Sequence, residues 1–82
     1  MEEEFERAAK EATQLPSCSD LDKLILYGLF KQAKQGDVNT SRPGMFDQKG
    51  RYKWDAWKKN EGMSQETARQ NYIMKVKQLK EG

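Results

Sequence analysis

Histidine is absent from the 82 residues, and cysteine occurs once, at Cys18. Without histidine the chain lacks the usual general base near neutral pH and the commonest metal ligand. A lone thiol makes no internal disulfide, which fits a reducing compartment. No Ser-His or Cys-His nucleophile can be assembled, and Cys18, beside a proline turn, has no visible base. Zinc-type ligand spacings, a Walker glycine loop and a dinucleotide glycine pattern are all missing. The carboxylates are scattered, mostly near helix starts. No enzymatic role, metal or cofactor is therefore expected. No apolar run approaches the roughly 20 residues of a membrane span. The acidic start MEEEFERAAKE has no apolar stretch of the signal-peptide kind. These gaps point to a soluble, cytoplasmic domain.

Charge of one sign is scarce too. Fifteen basic and 13 acidic residues leave +2. A bulk attraction to nucleic acid is not indicated, and any anion site must come from local clustering. Hydrophobic residues are 35% and charged residues 34%. The apolar residues nevertheless recur at helical spacing, which a disordered chain would not need.

That spacing predicts an all-α chain of four helices, read as one domain over residues 1–82. The first covers about 2–15, with Phe5, Ala8, Ala9, Ala12 and Leu15 on one face, glutamates at its start and Pro16 at its end. The second covers 20–35, capped by Ser17 or Ser19 and stopped by Gly36. Leu21, Ile25 and Leu29 line one of its faces. Lys23, Tyr27, Phe30, Lys31 and Lys34 gather nearly opposite. Gly28 in its interior, at a cost of about 1 kcal/mol relative to alanine, points to close packing. The turn-rich link DVNTSRPGMFDQKG is expected to turn Met45 and Phe46 inward. A third helix covers about 49–60 and a fourth, capped by Ser64, about 64–80. No alternating strand pattern and no repeat is seen. Four helices with apolar stripes make a four-helix bundle, and the long link allows a crossover.

The segment YKWDAWKK holds both tryptophans and three lysines. Trp54 and Trp57 are expected to pack inward, with Lys53 beside Trp57 and in line with Lys49. Tyr27 and Lys31 are one helical turn apart, as are Lys49 and Lys53. Tyr72 falls on the inner face of the last helix, where a buried hydroxyl would need a partner. Taken singly, each is more simply a packing residue or a solvated lysine. Lysines beside aromatics on two helices together suit a ligand with phosphates and a flat ring.

The run YGLFKQAKQGDVNTSRPGMFDQKGRYKWDAW, residues 27–57, closely resembles the acyl-CoA-binding protein family. The Y-x-x-[YF]-K-Q-A run, the G-D-x-N-T-x-R-P-G loop and K-W-D-A-W occur in order and at family spacing. F-x-x-A-A at 5–9 and A-x-x-x-Y-I at 68–73 match as well. The resemblance implies an up-down-down-up four-helix bundle holding one medium- or long-chain fatty acyl-CoA, such as palmitoyl-CoA. It implies a monomeric intracellular carrier and buffer that meets acyl-CoA-using enzymes or membranes transiently, with no nucleic-acid partner. By the same resemblance Lys31 and Lys53 contact phosphate, Tyr27 and Tyr72 seat adenine and ribose, Ala9 and Leu24 line the bowl, and Lys49 is a further cation at its mouth. Phe30, counted with these as a binding residue, stands where many members have tyrosine, so its ring face stays near the head group and the hydroxyl is lost. Thr13 stands where lysine is common, and Lys23 where an apolar residue is common. The chain stops at KEG, where many members have a short further tail. Lys23 or Phe30, should either block the bowl, leaves open a second reading, a helical protein-interaction module that keeps the fold and has weakened or lost the ligand.

Overall fold

The computed structural model describes residues 2–16 and 18–81. It contains four helices: α1 (Glu2–Ala12), α2 (Asp20–Gln35), α3 (Gln48–Lys58) and α4 (Gln65–Glu81). No strand occurs among the described residues.

Local chemistry sets the ends. Glu2, Glu3 and Glu4 occupy the first turn of α1, where negative charge meets the positive end of the helix dipole. The helix stops three residues short of the expected Leu15. The Thr13 hydroxyl donates to the Lys10 carbonyl at 2.7 Å and the Gln14 N–H to Glu11 at 2.9 Å, so tighter three-residue turns replace the α-helical pattern. Ser19 caps α2, its hydroxyl accepting from the Asp22 N–H at 3.1 Å. Ser17, the other candidate, lies outside the described residues. Gly36, at φ 79°, ends α2 as expected. Asp47, which the sequence reading passed over, caps α3 by accepting from the Gly50 N–H at 3.0 Å, so α3 begins one residue early. Ser64 accepts from the Thr67 N–H at 3.0 Å, the expected cap of α4.

Inter-helix pairs give the directions. Gly28 lies against Ala56, and Lys31 sits over Trp57. Both numbers rise together, so α2 and α3 run parallel. Glu2 pairs with Arg69 and Glu11 with Lys80, so α1 and α4 are parallel too. Asp22 pairs with Lys75, whereas Ala33 at the other end accepts from Arg69 and Gln65, so α2 and α4 are antiparallel. The order is up-down-down-up. α2 packs on both α3 and α4, and α4 packs on α1.

The core joins Phe5 and Ala8 of α1, Leu26, Leu29 and Ala33 of α2, and Ala68, Tyr72 and Val76 of α4. Ala8 and Ala68 let α1 and α4 approach closely. Phe5 stacks on Phe30 at 5.7 Å between ring centres and meets Tyr72 edge-on at 5.2 Å.

Two expectations fail here. Leu21 is 65% and Ile25 37% exposed, so the buried stripe of α2 runs instead through Leu26, Leu29 and Ala33. α2 has two neighbours at different angles, and Leu21 and Ile25 fall between them, on an open apolar hollow shared with Leu29. Met45 and Phe46 also face outward, at 69% and 98% exposure.

Polar bonds hold the long link. Trp54 donates its indole N–H to the Thr40 carbonyl at 3.0 Å and Trp57 to Gly36 at 2.8 Å. Trp57 is buried and Trp54 half-buried, so both brace α3 against the link. Arg42 grips Asp55 with two bonds of 3.0 and 2.9 Å. The fully buried Gln32 donates to Asp37 and to the Met63 carbonyl, both at 2.8 Å, and Asp37 also accepts from the Gly62 N–H at 2.9 Å. One side chain of α2 thus ties the start of the α2–α3 link to the turn between α3 and α4.

The Gly62 amide, then Gln32, hold the Asp37 carboxyl below its usual 3.8. Arg42 does the same for Asp55, and Lys75, then Ser19, for Asp22. A carboxyl depressed in the folded state contributes stability that is complete above its unfolded pKa and lost as pH falls through the folded value. Stability should therefore fall as pH drops below about 4. Asp37→Asn should flatten that acid limb by lowering urea stability near neutrality while leaving it little changed in acid, where the wild-type carboxyl is already protonated. Equal acid slopes in urea titrations of the two proteins would remove Asp37 from this role.

Candidate functional site

α2 and α3 run side by side, and their facing residues leave a hollow of about 650 Å³. From α2 come Asp20, Lys23, Leu24 and Tyr27, and from α3 Gln48, Lys49, Tyr52 and Lys53. These positions recur every three or four residues on each helix, so each set projects from one face. Three lysines against one aspartate give the rim a local charge of +2, equal to that of the whole chain. The wall between them is mainly apolar, from Leu24 and the two tyrosine rings.

The lysines reach aromatic rings of the facing helix, which a wheel of one helix does not show. Lys53 Nζ lies 5.5 Å from the centre of the Tyr27 ring, across the helix gap. Lys31 Nζ lies 4.9 Å from the centre of the Trp57 ring. Parallel helices in register cause this: Tyr27 of α2 meets Lys53 of α3, and one turn on Trp57 of α3 meets Lys31 of α2. An ammonium over a ring face gains about 0.5–1 kcal/mol at an exposed site. The pairs hold both cations near the surface, where their remaining donors are free to meet an anion.

Two further hollows adjoin. One, of about 470 Å³, shares Leu24 and Tyr52 with the first and continues past Leu21, Ile25, Leu29 and Met63. The other, of about 590 Å³, shares Lys23 and runs to Ala9, Thr13, Cys18 and Tyr72. The predicted site residues are distributed accordingly. Leu24, Tyr27, Lys49 and Lys53 come together in the central hollow. Ala9 and Tyr72 lie in the neighbouring one towards α1. Lys31 is one turn beyond, over Trp57. Phe30 lines none of these three, being half-buried between Phe5 and Tyr72.

Tyr72 is 5% exposed, and burial pushes its phenol pKa upward. It stays a neutral donor at any physiological pH. Sequence reasoning missed Tyr52 as a site residue. Its spacing from Lys49 and Lys53 was the available signal, since residues three and four apart share a helical face. Lys23 was placed on the cationic face of α2 and noted as a departure but not counted as a site residue, yet it borders both the central hollow and the one towards α1. Among the described residues, no group of three or more His, Cys, Asp or Glu is placed to hold a metal, and no helix is long and apolar enough to cross a membrane.

An apolar trough with a cationic rim, set between two parallel helices, defines a binding protein for an amphipathic anion. The chain belongs to the acyl CoA binding protein family, whose model matches residues 2–76. It is 61% identical over 82 residues to acyl-CoA-binding domain-containing protein 3 of Oryza sativa subsp. japonica, covering 99% of this chain and 53% of that one. It therefore spans about half the length of that relative. Acyl-CoA-binding domain-containing protein 1 of the same organism is 60% identical, with 99% of this chain and 90% of that one covered. The crystal structure of Oryza sativa acyl-CoA-binding protein 2 superposes with a TM-score of 0.95 at 59% identity, over 98% of this chain and 90% of that one. Proteins of this family are binding proteins.

Proposed function

We propose that this chain binds a medium- or long-chain fatty acyl-CoA with high affinity and carries it as a shielded ester. The observation that supports this most is the central hollow, where Lys23, Lys49 and Lys53 ring a wall of Leu24, Tyr27 and Tyr52. In this reading Lys53 and Lys31 bind phosphate, chiefly the ribose 3′-phosphate, as point charges giving charge-assisted bonds. Tyr27 and Tyr72 seat adenine and ribose, with Ala9 and Phe30 beside them. Leu24 contacts the acyl chain, and Lys49 is a cation at the mouth. The apolar surface running from Leu24 past Ile25 to Leu29 offers the chain a continuous track. Each buried methylene adds about 0.8 kcal/mol, so affinity rises with chain length until the track is filled. The phosphates set the orientation, and the chain adds much of the strength.

The carrier acts as a cytoplasmic monomer without catalysis or cofactor, passing its cargo to acyl-CoA-using enzymes or membranes by brief contact. Titration calorimetry tests the reading directly. Palmitoyl-CoA should bind far more tightly than either CoA or palmitate, because only the ester engages both the lysines and the apolar track. Equal binding of the three, or none, would overturn it.

A further inference from the structure

The link between α2 and α3 ends in an apolar tip held out of the core. Phe46 is 98% exposed and Met45 69%. The turn that carries them is well braced. The Asp47 N–H donates to the Gly44 carbonyl at 3.0 Å, closing a turn around the two side chains. Asp47 in turn caps α3 through Gly50, and Arg51 Nε donates to the Pro43 carbonyl at 3.0 Å. Arg42, just before the tip, is fixed on Asp55. A phenyl ring gains much from burial, yet these bonds present it to solvent.

The surrounding charge is unbalanced. Residues 42–53, RPGMFDQKGRYK, carry Arg42, Lys49, Arg51 and Lys53 against Asp47 alone. Arg42 is neutralised by Asp55, so the remaining balance is three minus one, +2, as much as the whole chain carries. The tip also adjoins the mouth of the central hollow. Gln48 and Lys49, two and three residues past Phe46, line that hollow, and two residues of chain reach at most about 7 Å. Tyr52, on the same rim, is 60% exposed.

We infer that the Met45–Phe46 turn is a wedge that docks the protein on the anionic surface of a phospholipid bilayer, with the mouth of the hollow turned to the lipid. A phenyl ring and a thioether suit the boundary between headgroups and acyl chains, while Lys49, Arg51 and Lys53 meet anionic headgroups. Two apolar side chains are too few for the core of a stable protein interface, which needs about 800 Å² from each partner. A bilayer requires no such matching area. The purpose of the wedge rests on the acyl-CoA reading: a carrier docked in this way takes up or releases its ester without exposing the chain to water.

Flotation of the ligand-free protein with vesicles tests the wedge itself. The wild type should float with mixed phosphatidylcholine and phosphatidylserine vesicles, and much less with phosphatidylcholine alone or in high salt. The double variant M45S/F46S should lose about tenfold or more of that partitioning while binding palmitoyl-CoA in solution with unchanged affinity. A wild type that does not float with anionic vesicles, or a double variant that floats equally well, would overturn the inference. Loss of solution affinity in the variant would assign the tip to the ligand site instead. A dimer that the variant abolishes would assign it to a second copy. Failure of the acyl-CoA reading shows separately, in calorimetry without vesicles.

Discussion

Lys53→Ala should weaken palmitoyl-CoA binding by about tenfold to a hundredfold, the range that one charge-assisted bond of about 1.5–3 kcal/mol supplies. Its ammonium lies over the Tyr27 ring, 5.5 Å from the ring centre, and the Lys53 side chain is exposed. There it is held in place, yet still accessible to an anion on the rim. Bare CoA should lose proportionally as much as palmitoyl-CoA, since both carry the 3′-phosphate. The fold should survive, because the side chain is exposed and alanine is the best helix former. What the fold gives up is one cation–π contact of about 0.5–1 kcal/mol. Lys77→Ala, exposed on α4 and away from the hollow, is the matching control for lost charge. Calorimetry with each ligand and a melting curve of each variant decide the matter. Unchanged affinity in Lys53→Ala would remove its phosphate role, and equal loss in Lys77→Ala would reduce that role to general charge.

The existence of the helices was legible because their signals are local. Apolar spacing, Ser19, Ser64 and Gly36 act within one or two turns, and each stands where the sequence implied. Directions were not legible from periodicity, because a stripe says which face is buried and not against what. The up-down-down-up order came with the family resemblance, and the pairs Asp22–Lys75, Glu11–Lys80 and Lys31–Trp57 now carry it. The same blindness explains the misplaced stripe of α2. Leu21 and Ile25 look like core until two partners at different angles are known, and they then fall on the groove between them. Gln32 was unreadable for a related reason. A glutamine in a run of lysines looks solvated, but it is wholly buried because the loops it bonds fold over it. The site shows the same division. Lys49 and Lys53 share a face by spacing alone, whereas the crossed pairing of Lys53 with Tyr27 and Lys31 with Trp57 needed the helix register.

Gly28→Ala should destabilise the protein although alanine favours a helix by about 1 kcal/mol over glycine. A β-carbon at this position would overlap the Ala56 carbonyl, reaching 2.7 Å from its carbon and 3.0 Å from the Asn60 amide nitrogen. The side chain of Asn60 can turn away, but the backbone of α3 cannot give locally. The Ala56 carbonyl, in the last turn of α3, accepts from the Asn60 side chain at 3.4 Å, and the helix is fastened through its tryptophans to Thr40 and Gly36. The strain must move α3 as a body, at the usual overpacking cost of about 1–3 kcal/mol. Gly28→Val adds two methyl groups and should sit at the upper end or beyond. Each kcal/mol corresponds to about 4–8 °C in melting temperature for a domain of this size. Ligand affinity should fall as well, because Tyr27 and Lys53 adjoin the point of overlap and their spacing across the helix gap depends on it. Gly44→Ala separates this from a general glycine effect. Nothing lies within 4 Å of a β-carbon there and its φ is not positive, so stability should hold or rise slightly through the stiffer unfolded chain. Melting curves for the three variants, each with palmitoyl-CoA titration, give the comparison. A Gly28→Ala protein that melts higher than the wild type would mean that α3 yields freely. The parallel packing of α2 on α3 would then not be what fixes the width of the hollow.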